Sequence, residues 1–124
     1  MRWGLLALLF LPCGEGWTRL QAGNEAVEVY RDSFGIPHIF AKTVEGAFWA
    51  EGYTEAADRW NQMDLLRRRA RGERAEVLGR EALAEDRAIR QGGYTEAERR
   101  AMFDSMSDRS RRILLSYVSG VNAF

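Results

Sequence analysis

RDSFGIPHI (residues 31–39) and GYTEAADRWNQMDLLRRRARGERAEVLG (residues 52–79) are the two stretches on which the fold turns. The first reads as the bend of a β-hairpin. Asp32-Ser33-Phe34-Gly35 is a turn, because Asp and Ser bond back to the backbone and Gly35 is free to take a positive φ. Before it, Glu25 to Arg31 alternates as a strand, with Val27 and Val29 on one face and Glu28 and Tyr30 on the other. After it, Ile36 to Phe40 reads as the second strand, with Pro37 near its start where an edge tolerates it.

From Thr43, a predicted N-cap, the pattern becomes helical. Trp49, Tyr53, Ala56, Trp60, Met63, Leu66 and Ala70 follow at spacings of 4, 3, 4, 3, 3 and 4, one apolar stripe that Gly72 should end. Gly52 inside this stretch predicts a kink or a close backbone contact. Shorter helices are expected over 73–78 and 82–91, and Thr95 and Ser107 should cap two more. Ile113, Leu114, Tyr117, Val118 and Val121 keep helical spacing in the last, which reaches Phe124 with no cap or polar tail. Acid-before-base pairs four apart (Glu55/Arg59, Asp64/Arg68, Asp86/Arg90, Glu96/Arg100, Asp108/Arg112) mark exposed helix faces. The class is α+β, mostly helical with an N-terminal β-hairpin.

Composition agrees with a packed chain: 46% of the 124 residues are hydrophobic and 29% charged. Acids and bases balance at 18 each, so no global charge recruits nucleic acid or an anionic membrane. Cys13 is the only cysteine, which excludes an intrachain disulfide and a thiolate metal cluster. At the N-terminus, Arg2 is followed by nine apolar residues, Trp3 to Leu11. That is far short of the roughly 20 needed to span a bilayer, and it fits the core of a signal peptide. Residues 1–22 are therefore expected to be a leader and 23–124 the domain, with a cut before Trp17 or near Ala22–Gly23. Pro12 argues against lipidation of Cys13. The other reading of this segment is a helix packed on the domain.

Few residues offer chemistry. Ser33 and His38 pair a nucleophile type with a base type, but the sequence shows no positioned acid, as a Ser-His-Asp system requires. His38 is expected to be structural, satisfied by a backbone group beside Pro37. One His without clustered carboxylates is not a metal-ligand set. The Arg67-Arg68-Arg69-Arg71 cluster sits at a helix C-terminus, where the dipole favours cations, and is read as structural. Arg67 falls on the apolar stripe, so it should be paired or stacked, with Asp64 as the partner. Asp58, Arg59 and Gln62 form a polar edge, either solvated or part of a buried network.

Residues 27–124 resemble the start of the α chain of the penicillin acylase (penicillin amidase) family. The resemblance rests on Arg31-Asp32-x-x-Gly35-Ile36-Pro37-His38-Ile39 and on Gly52-Tyr53-x-x-Ala56-x-Asp58-Arg59-x-x-Gln62-Met63. Arg67-Arg68 with Gly72, Ala75-Glu76-x-Leu78-Gly79, Asp86 with Arg90, and Gly120-Val121-Asn122-Ala123 follow in order. Ala57 and Asn61 depart from the pattern, which usually shows a Gln and an aromatic there. The resemblance implies the first half of an α chain within a larger αββα N-terminal-nucleophile hydrolase. It implies a periplasmic or secreted precursor that cleaves itself and exposes a serine at the start of its β chain. That serine's own α-amino group would be the general base in attack on linear amides, such as acylated β-lactams or N-acyl homoserine lactones. The nucleophile, oxyanion hole and calcium ligands expected of the family would all lie beyond Phe124. The segment itself would then hold no catalytic, cofactor or metal residue and show no amidase activity alone. Its partners would be the rest of its precursor and a small-molecule amide, with no nucleic acid and no membrane once the leader is removed. The rival reading is a small exported helical binding module without catalysis.

Overall fold

The structure, a computed structural model, describes residues 15–124. The apolar run and Cys13 lie outside the described residues. Three antiparallel strands in the order β1-β2-β3 open the chain: β1 (Gly16–Ala22), β2 (Glu25–Arg31) and β3 (Pro37–Phe40). The hairpin β2–β3 forms in the expected register, with Val29 opposite Ile39 and Tyr30 opposite His38. Its turn is closed by Asp32, whose Oδ1 accepts from the N–H groups of Phe34 and Ile36, both at 2.9 Å.

β1 was not expected as a strand, because residues 17–22 lie between the two cut sites that the sequence leaves open. It pairs with all of β2, from Gly16 opposite Arg31 to Ala22 opposite Glu25. Its alternation was visible once sought: Thr18, Leu20 and Ala22 point inward and Trp17, Arg19 and Gln21 outward. The apolar run before it masked this pattern.

α1 (Val44–Arg71) crosses the inner face of the sheet. Val27, Val29 and Ala50 form the core there, with Leu20, Ala22, Ile39 and Trp49 packed around them. Thr43 caps α1 as expected, its hydroxyl accepting from the Gly46 N–H at 2.9 Å. Gly72 ends the helix in the left-handed conformation, φ 65° and ψ 47°.

Two expectations for α1 need correction. The break is at Arg59 (φ −136°, ψ 24°), one residue past Asp58, and Gly52 keeps helical geometry. The apolar stripe is covered only in its first half: Ala56 is buried, whereas Trp60, Leu66 and Ala70 are exposed. The sheet and the last helix reach no further along it.

A short helix α2 (Ala75–Leu78), a 3-10 turn (Gly79–Ala82) and α3 (Leu83–Gly92) then double back. α4 (Glu96–Ser105) starts with a complete capping box between Thr95 and Glu98. α5 (Asp108–Ala123), capped by Ser107, lies along α1. The contacts Glu45–Arg112, Glu55–Tyr117 and Trp60–Phe124 rise together along both helices, so the two run parallel. Their backbones touch at two glycines. A Cβ on Gly52 would fall 3.0 Å from the Tyr117 carbonyl carbon, and one on Gly120 2.8 Å from that of Trp49, with the oxygens nearer still. Close contact, one of the two expectations for Gly52, is what the fold uses.

The expected acid–base pairs four apart mostly do not form. Asp64–Arg68 is made at 2.7 Å, while Glu96 and Asp108 take the arginine three residues on. Among the described residues no helix is long and apolar enough to cross a membrane.

Candidate functional site

The polar residues that join sheet to helix form the most organised cluster of the molecule. Because side chains alternate along β2, Arg31 follows Val27 and Val29 onto the inner face, where the residue is only 8% exposed. Burying that charge requires partners, and three bonds supply them. Nη1 donates to the Gly35 carbonyl at 2.9 Å and to Asp58 Oδ2 at 2.9 Å, and Nη2 donates to Asp58 Oδ1 at 2.7 Å. The paired, two-point contact suits the planar guanidinium. It fastens the hairpin turn to α1 just before the helix breaks. Asp58 is itself exposed, as are Arg59 and Gln62, yet it serves as counter-ion to a buried arginine and so falls between the two alternatives for it.

Asp58 also lines a groove of about 540 Å³ with Pro37, Ile39, Phe48, Thr54 and Glu55. The groove carries no activated nucleophile. The Thr54 hydroxyl donates to the Ala50 and Glu51 carbonyls of its own helix, at 2.9 and 3.0 Å. Glu55 Oε2 accepts from the Tyr117 hydroxyl at 2.6 Å. Burial, and then this carboxylate, push the Tyr117 phenol up to about 12. The contact is a clasp between α1 and α5.

His38 has a partner the sequence did not reveal. Its Nε2 lies 3.0 Å from Asp32 Oδ2, so a carboxylate orients the ring and no backbone group beside Pro37 is involved. The hydrogen bond from His38, with the Ile36 N–H next, holds the Asp32 carboxyl below its usual range. Asp, His and Ser thus sit within one turn, yet among the described residues Ser33 makes no hydrogen bond to His38. The ring is half exposed and Asp32 is committed to the turn. This is hairpin architecture and not a catalytic triad.

Three of the four arginines in the cluster, Arg67, Arg68 and Arg69, are paired with acids, in keeping with the structural reading. Arg67 and Arg68 both bind Asp64 at 2.7 Å, Arg68 also binds Glu76 at 2.7 Å, and Arg69 binds Glu85 at 2.8 Å. Asp86 and Arg90 do not pair with each other. Asp86, 5% exposed, accepts from the N–H groups of Arg74 and Ala75 at 3.1 and 2.7 Å and so caps α2. Arg90 Nε donates to the Gly72 carbonyl at 2.8 Å.

Glu25 was likewise invisible as a site. Its Oε1 accepts from the Lys42 and Thr43 N–H groups at 2.6 and 3.1 Å, and its Oε2 from the Thr43 hydroxyl. These bonds, led by the hydroxyl, hold its carboxyl below the usual range. Partners 17 and 18 residues apart leave no local signal. Among the described residues, no three His, Cys, Asp or Glu side chains are placed to hold a metal ion. The buried or clasped carboxylates are already engaged by arginines and backbone N–H groups.

Comparison with known proteins places this scaffold. Residues 26–124 match the penicillin amidase family. The chain is 40% identical over 114 residues to penicillin acylase 2 proenzyme of Pseudomonas sp. (strain SE83), covering 92% of this chain and 15% of that protein. It is 35% identical over 104 residues to penicillin G acylase of Escherichia coli, covering 84% and 12%. An acyl-homoserine lactone acylase of Pseudomonas fluorescens (strain Pf0-1) is 34% identical over 114 residues, covering 92% and 14%. The chain thus spans about one-seventh of the length of these relatives. The solved thermostable penicillin G acylase from Alcaligenes faecalis superposes with a TM-score of 0.71 at 39% identity, over 80% of this chain and 52% of that one. A family match across the hairpin, α1 and α5, joined to the same fold at this identity, makes the chain a member of the penicillin amidase family.

Proposed function

We propose that the chain is the N-terminal scaffold of an exported amidohydrolase precursor. In full length the protein would hydrolyse linear amides, such as the acyl side chains of β-lactams or of N-acyl homoserine lactones. The attack would come from a serine freed at the start of a second chain, whose α-amino group serves as base. The observation that carries this is the family match over residues 26–124 with acylases named on both sides of that substrate divide.

The structure lends support in what it builds. Among the described residues its ion pairs and caps tie strands and helices to one another. Trp60, Leu66 and Phe124 are each at least half exposed, apolar surface that an independent binding module would be expected to cover. The remainder of the precursor is the natural cover. Calcium, if the full protein uses it, would be held by residues outside this chain, and the mature protein would reside in the periplasm or outside the cell.

The test compares the 124-residue chain with the product of the uninterrupted reading frame, on a chromogenic phenylacetyl amide and on an N-acyl homoserine lactone. The longer product should split into two chains, the second starting with serine, and hydrolyse at least one substrate. The short chain should hydrolyse neither. Turnover by the short chain would overturn the assignment.

A further inference from the structure

Two sites for leader removal are open in the sequence, and the fold separates them. We infer that the leader is cut at the Gly16–Trp17 bond and that β1 stays with the mature protein. The inference rests on the export reading above and specifies its processing site.

The first reason is structural. Trp17–Ala22 supply six of the seven residue pairs that join β1 to β2. Leu20 and Ala22 pack against the core of Val27, Val29 and Ala50. On the outer face the Trp17 ring lies 5.1 Å from that of Tyr30 and 5.5 Å from that of Phe40. A cut near Ala22–Gly23 would remove all of this and turn β2, the most buried strand, into an edge with an unpaired row of backbone groups. A cut at Gly16–Trp17 removes one pair, Gly16 opposite Arg31. It also removes the hydrogen bond from the Tyr30 hydroxyl to Glu15, which is exposed and which water replaces.

The second is the chemistry of the cutting enzyme. Leader peptidases accept small residues immediately before the bond and two positions earlier. Gly16 and Gly14 meet both needs. A cut after Ala22 would place Leu20 at the earlier position, and one after Gly23 would place Gln21 there. Hydrolysis consumes one water, leaving a carboxylate on Gly16 of the released leader and an ammonium on Trp17 of the mature chain.

The experiment expresses the whole chain with its own N-terminus in a bacterium, separates periplasm from cytoplasm, and determines intact mass and amino-terminal sequence. The periplasmic species should begin at Trp17. The variant Gly14→Leu should accumulate as uncut precursor. A periplasmic species with any other amino terminus overturns the assignment, and one starting at Gly23 or later overturns its structural reason too. Normal cutting of Gly14→Leu at the same bond also overturns it. A chain that keeps Met1 and stays in the cytoplasm would instead refute the export reading itself.

Discussion

Replacing Asp58 by alanine should destabilise the chain by about 2–3 kcal/mol, because it strands the Arg31 guanidinium. In the native joint Arg31 is 8% exposed and its guanidinium makes three hydrogen bonds, two of them to Asp58. Without Asp58 only the Gly35 carbonyl remains. Removing one partner of a fully buried pair costs about 3–5 kcal/mol, most of it the penalty of an uncompensated charge. The Asp58 side chain is 33% exposed, so water can reach part of the vacated space, and the figure scales down to about 2–3 kcal/mol. For a domain of this size that corresponds to about 10–20 °C in Tm. The assay is urea unfolding followed by tryptophan fluorescence, with Arg31→Met/Asp58→Leu as the control. If the stranded charge causes the loss, the apolar double variant should recover at least half of it, since a buried pair exchanged for apolar groups is often near neutral. A loss below about 0.5 kcal/mol for Asp58→Ala, typical of exposed pairs, would refute the argument. A double variant as unstable as the single would show that lost packing, and not charge, dominates.

Gly52→Ala and Gly120→Ala should each cost about 1–3 kcal/mol by forcing α1 and α5 apart, despite the gain of about 1 kcal/mol in helix propensity. Unfolding midpoints at or above wild type would contradict the close contact. Asp86→Ala should cost about 1–3 kcal/mol, since it leaves the half-buried Arg74 and Ala75 N–H groups without their acceptor. Hydrogen exchange should show residues 74–78 losing protection first, and uniform loss would count against the cap. Tyr117 is an acid whose folded value is raised from 10.0 to about 12, so its contribution is complete below pH 10 and is lost as pH climbs through about 12. Tyrosinate absorbance should show a late component near pH 12 that Tyr117→Phe removes, and its persistence in that variant would reject the clasp with Glu55.

Elements were legible wherever the signal is local. Thr43, Gly72, Thr95 and Ser107 act as caps because each satisfies backbone groups within three or four residues of itself. The turn at Asp32–Gly35 is equally self-contained. Reading failed where a partner lies far along the chain. Asp86 looked like a surface acid bound to Arg90, and its true ligands are N–H groups 11 and 12 residues earlier. Glu25 reads as an ordinary strand residue until α1 is set across the sheet. His38 was misread differently: its acid, Asp32, is only six residues away, but across a hairpin no helical or strand period points to it. β1 was missed as a strand because the apolar run before it dominated the reading of the N-terminus, where a cut before Trp17 or near Ala22–Gly23 stayed open.

The same division explains how little of a function the residues declare. Backbone hydrogen bonding and side-chain period act over a few residues, so they already specify a hairpin, a long capped helix and three or more shorter ones. The ordered motifs from Arg31 to Ala123 were enough to point to the family. What needed three dimensions was every contact that makes these elements one body. Arg31 becomes a buried charge only when β2 lies on α1, and Asp58 becomes its counter-ion only from that crossing. Gly52 and Gly120 matter only because two helices far apart in sequence come to touch. Charge burial and backbone contact depend on what arrives from elsewhere in the chain, and no local period encodes that.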